Sequence, residues 1–153
     1  MSTRAALFPS IVFSLLMASG CASTGPSRGT GGELVGAWIV TASRPAGVGK
    51  NLLTFSSDGT FFRSGDTHPT LSGGHGAWRR TPDGEFEATY VAFRFDENRK
   101  WIGSSKTRLR IKPGPGPGEF SGLARVSNRD LDDKEIGSSE TRLQGRRIEV
   151  EPL

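Results

Sequence analysis

The side chains that most often carry chemistry are few in this chain, and they are poorly grouped. There are two histidines, His68 and His75, and a single cysteine, Cys21. His75 lies in Ser72-Gly73-Gly74-His75-Gly76-Ala77-Trp78. An imidazole, with its ordinary pKa near about 6.5, could serve there as a general base at the mouth of a cavity. No acidic or nucleophilic partner stands at a telling spacing, so the sequence favours a turn residue whose ring bonds a loop carbonyl. His68 and His75, with Pro69 and glycines between them, match no zinc-ligand spacing. Asn128-x-Asp130-x-Asp132 offers the first three alternating oxygens of a calcium loop, but the continuation fails. Asp133 stands where such a loop needs Gly, and Ser139 stands where a bidentate Glu belongs. A solvated hairpin loop is expected instead. Asp58, Asp66, Asp83, Glu85, Glu87 and Asp96 all fall in turns or on polar faces, so no pair is set up for acid–base work. The sequence holds no phosphate-cradling loop ahead of a helix, and the alternating Pro113–Gly118 reads as a stiff turn. No cofactor or metal is expected.

Cys21 has a more specific context. Met1-Ser2-Thr3-Arg4 gives a short positive start, Ala5–Met17 an uncharged and mostly apolar run, and Ala18-Ser19-Gly20 small residues before the cysteine. That order is the plan of a secretory signal peptide. The run is shorter than the about 20 apolar residues of a membrane span, and Pro9 argues against a buried helix. A lone cysteine also cannot close an internal disulfide in an oxidising compartment. Residues 1–20 are therefore expected to be a signal peptide. Residues 22–32 (ASTGPSRGTGG) lack apolar periodicity and read as a flexible tether spanning on the order of 18 Å. Removing residues 1–20 takes Arg4 and no acid, which lowers the formal charge of +4 by one. A charge of that size speaks to solubility rather than to a partner, and nucleic acid is not expected.

From residue 33 to 153 the sequence predicts one all-β domain. Short apolar or alternating segments are separated by turn chemistry: Leu34–Ala42, a Pro-Ala-Gly-Val-Gly loop, Lys50–Phe55, Thr60–Ser64, Gly76–Arg80, Glu85–Phe95, Lys100–Lys112, Glu119–Ser127 and Glu135–Glu151. Ser56-Ser57-Asp58-Gly59 and Thr81-Pro82-Asp83-Gly84 are strong hairpin turns, because Asp-Gly tolerates positive φ. Trp38, Val40 and Ala42 share one parity, and so do Phe120, Gly122, Ala124 and Val126. About eight strands in simple succession predict a small antiparallel up-and-down β-barrel, which removes exposed edges, with a β-sandwich as the alternative. Lys106, Arg108, Arg110 and Lys112 alternate with Thr107, Leu109 and Ile111. They form a basic ladder on an outer face, either cross-paired with Glu119 or Glu87 or turned toward anionic headgroups.

Two resemblances follow from these residues. Ala18-Ser19-Gly20-Cys21 resembles the lipobox of bacterial lipoproteins, with Ala18 where Leu is commonest. It implies cleavage before Cys21, acylation of that cysteine with palmitate-type chains, and anchoring to the cell envelope. Ala22 lacks the Asp linked to inner-membrane retention, which implies the outer membrane where two membranes exist. Gly36-Ala37-Trp38 in the first strand resembles the Gly-x-Trp of the calycin superfamily, which contains lipocalins and fatty-acid-binding proteins. That likeness implies a Trp at the barrel's base with an Arg of the last strand packed across it. Arg146 shares parity with Ile148 and Val150 and is the expected partner of Trp38. The lipocalin Thr-Asp-Tyr motif has no match.

The sequence thus predicts a non-catalytic, membrane-anchored lipoprotein whose barrel binds a small, mostly apolar molecule. Trp38, Val40, Phe55, Phe61, Tyr90, Phe93, Leu109, Phe120 and Val126 are the expected lining. The alternatives are an interaction module with a packed interior and, least favoured, a barrel isomerase or cyclase using His75. No protein partner is implied.

Overall fold

The computed structural model describes residues 33–44, 47–67 and 69–153; Cys21, the expected signal peptide and tether, and His68 lie outside the described residues. Eight strands follow one another: β1 (Gly36–Arg44), β2 (Gly47–Phe55), β3 (Thr60–Gly65), β4 (Gly74–Arg80), β5 (Phe86–Phe95), β6 (Trp101–Pro113), β7 (Glu119–Arg129) and β8 (Glu135–Arg147). Each pairs antiparallel with the next, and β8 pairs with β1 from Arg147 opposite Trp38 to Arg142 opposite Ser43. The sheet is therefore a closed up-and-down barrel of calycin-like plan, and the β-sandwich alternative falls. Closure leaves no row of unpaired backbone groups along an edge.

Turn chemistry sets the hairpins. Gly59 and Gly84 take φ of 88° and 83°, as their Asp-Gly sequences require. The β5–β6 and β7–β8 turns use another device, with Arg99 and Asp133 each at φ 61°. In the first, the Asp96 carboxylate accepts the backbone N–H groups of Asn98 and Lys100; in the second, Asp130 accepts those of Asp132 and Lys134. The calcium-like spacing at Asn128–Asp132 is thus the acidic corner of a hairpin.

Several boundaries shift by a few residues, and two differences change the reading. The glycine-rich stretch after Pro45 is ladder rather than loop, since Gly47, Val48 and Gly49 pair with Arg44, Ser43 and Ala42. Backbone pairing needs no side chain, so a turn-like composition does not exclude a strand. At the other end β8 stops at Arg147, and Ile148 and Val150 are exposed beyond it. The strands run so that residue 33, the end of β8 at Arg147 and the β2–β3, β4–β5 and β6–β7 turns share one end, the base. The other four connections surround the opposite end, the mouth.

Candidate functional site

The interior is divided by side-chain size. At the base, Trp38, Phe55, Phe61, Phe86, Ile111 and Phe120 are each at most 2% exposed and fill the barrel. Phe55 stacks on Phe61 at 4.5 Å, Trp38 tilts against Phe120 at 4.9 Å, and Trp78 meets Phe55 and Phe86 edge-on. Leu34 closes this end from below, and its carbonyl accepts the Trp38 indole N–H at 2.9 Å. Aromatic pairs of this geometry add about 0.5–1.5 kcal/mol each beyond the area they bury.

An arginine does pack across Trp38, but it is Arg147, with its guanidinium carbon 4.5 Å from the ring centroid. It also donates to the carbonyls of Val35 and Glu33. Arg146 is exposed on the outer face opposite Glu119. The expectation failed because parity was taken from Ile148 and Val150, which lie beyond the strand. The buried Thr141, Leu143 and Gly145 put Arg147 inside. Gly36, at φ 130°, gives the guanidinium its room, since a Cβ there would collide with Nη1.

Above the rings lies a chamber of about 240 Å3, walled by Val40, Ala42, Leu53, Tyr90, Leu109, Ala124, Val126 and Leu143. Of the expected lining residues, Tyr90, Leu109, Val40 and Val126 reach it. Trp38, Phe55, Phe61 and Phe120 are not chamber wall but packed base. Phe93 is 54% exposed on the outer face against Trp101. Its neighbour Ala92, 2% exposed, holds the inward position, so the small residue of the pair is the internal one. The chamber is smaller than the about 300–1,000 Å3 typical of sites for drug-sized ligands.

Its upper rim is polar, which sequence reading missed. Arg63, Asn51, Thr67, Thr107, Asn128, Ser139 and Thr141 line it together with Arg44. Arg63 is 6% exposed, and its Nε and Nη2 donate to Asn51 Oδ1 at 2.9 and 2.7 Å, while Nη2 also donates to Thr67 Oγ1 at 2.9 Å. The signal was present: Phe61 and Arg63 are two residues apart on one short strand, so one inward residue implies the other. Arg44 pairs with Asp66 at 3.1 Å. The Lys50 backbone N–H and then Arg44 hold the Asp66 carboxyl below its ordinary value, with Arg63 a smaller contributor.

The other candidates face outward. His75 is in β4 rather than in a turn, and although near the mouth end it faces outward, with its ring edge-on to Phe62 at 5.0 Å. The basic ladder is solvent-facing as expected: Arg110 approaches Glu85 and Glu87, and Lys112 approaches Glu85 at 2.8 Å. Glu119 is not its partner. A concavity of about 420 Å3 beside Arg108, Arg110 and Arg125 lies on this outer face, bordered by Glu87 and Glu140. No protein family, curated protein or solved structure matches the chain.

Proposed function

We propose that this protein is a non-catalytic envelope lipoprotein, anchored through acylated Cys21, whose barrel holds one small molecule in the upper chamber. The observation that carries the ligand reading is the division of the interior: a base filled with rings and, above it, an apolar-walled space with a polar rim. An eight-stranded barrel either fills with side chains or keeps room for one small ligand. Here it does the first in one half and the second in the other. The anchor rests on the signal-like start and the lone cysteine. Because residue 33 sits at the base, a tether leaving there would turn the mouth away from the membrane.

A second reading, an interaction module acting through its outer face, draws on the basic ladder. Lys106 and Arg108 are exposed and form no ion pair among the described residues. Native mass spectrometry of the chain purified from an envelope-exporting host, before and after organic extraction, separates the two. A stoichiometric adduct lost on extraction supports the carrier. A clean apo mass that persists after incubation with envelope lipids, together with partner binding lost on charge reversal of Arg108 and Arg110, supports the module.

A further inference from the structure

We propose that the chamber takes a compact organic carboxylate, with the acid group held by the free edge of the Arg63 guanidinium. The proposal rests on the chamber being the ligand site and names the chemistry it selects. A guanidinium is always charged and carries five N–H donors. In Arg63 three are committed, to Asn51 Oδ1 twice and to Thr67 Oγ1. Nη1 makes no hydrogen bond among the described residues, which leaves both its N–H groups to a ligand.

Both partners of Arg63 are neutral oxygens, so they fix the plane of the group without cancelling its charge. No ion pair of the described residues includes it. Its nearest acidic neighbour in sequence, Asp66, is engaged by Arg44 and by the Lys50 backbone N–H. Asp and Glu are absent from the chamber lining, whereas two arginines are present. A charge buried to 6% exposure with no ion pair of its own, and with the nearby Asp66 already engaged by Arg44, is costly to keep. An entering carboxylate would remove that cost through a charge-assisted hydrogen bond.

The cradle is also built to hold this side chain. A Cβ at Gly65 would collide with the Arg63 guanidinium and with Asn51 Oδ1, so only glycine at that position leaves the pair in place. Below the guanidinium the walls turn apolar through Leu53, Leu109 and Val40, and Tyr90, resting on Phe61, closes the floor. The ligand body is therefore apolar and short. A long acyl chain would have to displace the stacked base.

Calorimetric titration of the purified full chain with hexanoate and benzoate, against hexanol and benzyl alcohol, tests this. The acids should bind at one site about ten-fold or more tighter than the matched alcohols. Arg63→Met should erase that preference, and Arg63→Lys should keep part of it. Alcohols binding as tightly as acids would overturn the carboxylate proposal while leaving the chamber as a ligand site. Palmitate binding more tightly than hexanoate would overturn the compact ligand. Failure of both acids and alcohols to bind would overturn the proposal and the chamber reading together. Should Arg63→Met not fold, the acid–alcohol comparison on the native protein decides alone.

Discussion

The base and the chamber are built by the same strands, and they differ in what each strand points inward as it climbs. On β6 the inward series runs Ile111, Leu109, Thr107, Ser105 from base to mouth, and on β7 it runs Phe120, Gly122, Ala124, Val126. On β1 it runs Trp38, Val40, Ala42. Each begins with bulky residues at the base and has smaller ones toward the mouth, and Thr107 and Ser105 add hydroxyls. Smaller side chains toward the mouth leave space, and polar groups line its upper part. Two arginines show the same contrast. Arg147 packs over a ring and donates to two carbonyls, whereas Arg63 is held by neutral oxygens beside an open volume. One arginine serves the fold. The other is fixed with a charge and a donor edge still available.

Substitutions should separate the halves. Trp38→Ala should destabilise the barrel by about 3–5 kcal/mol, as loss of a fully buried aromatic does. Urea unfolding monitored by far-UV circular dichroism would read it. A comparable loss on Val126→Ala, in the chamber wall, would mean that both halves are equally packed. Arg147→Met should cost about 2 kcal/mol, from the lost stacking and carbonyl bonds. Arg63→Met should change stability by under about 1 kcal/mol or raise it, because removing a buried charge offsets the lost hydrogen bonds. Thermal melts of the two variants side by side would show whether the arginines differ in kind.

The smallest effect concerns acid. Asp66 has a carboxyl held below its ordinary value of 3.8 by its hydrogen bonds in the folded chain. A lowered folded pKa contributes stability at pH above the ordinary value, and that contribution is lost as pH falls through the lowered one. Asp66→Asn should therefore lower stability slightly at neutral pH, by at most about 1 kcal/mol for so exposed a pair, read as a small drop in melting temperature. The deficit should shrink below about pH 4. A deficit that stays constant with pH would remove the carboxylate from the account.

Much of the fold was legible because turns and parity are local signals. Asp58-Gly59 and Asp83-Gly84 marked their hairpins, and the alternation around Leu109 placed that strand's inner face. Closure could be anticipated from strand number, but the register joining β8 to β1 depends on contacts far apart in the chain. The site was less legible for a related reason. Selecting lining residues by inward parity also took in the rings of the base, since parity gives a direction, whereas large side chains fill a barrel and small ones leave room. Phe93 was misplaced although it is out of phase with Tyr90 and Ala92, and Arg146 where residues past the strand end were counted. Arg63 is not among the residues expected in the lining. Its burial depends on Asn51 and Thr67, which come from different elements, and on the missing side chain at Gly65.

The central claim is that the upper half of the barrel is ligand space rather than unfinished core. Its most direct test is Ala124→Leu, which adds bulk to a chamber wall residue that is 4% exposed and distant in sequence from Arg63. Binding of the best small ligand, measured calorimetrically, should fall by about ten-fold or more while stability holds within about 1 kcal/mol. Undiminished binding in a folded Ala124→Leu protein would place the ligand elsewhere and contradict the account.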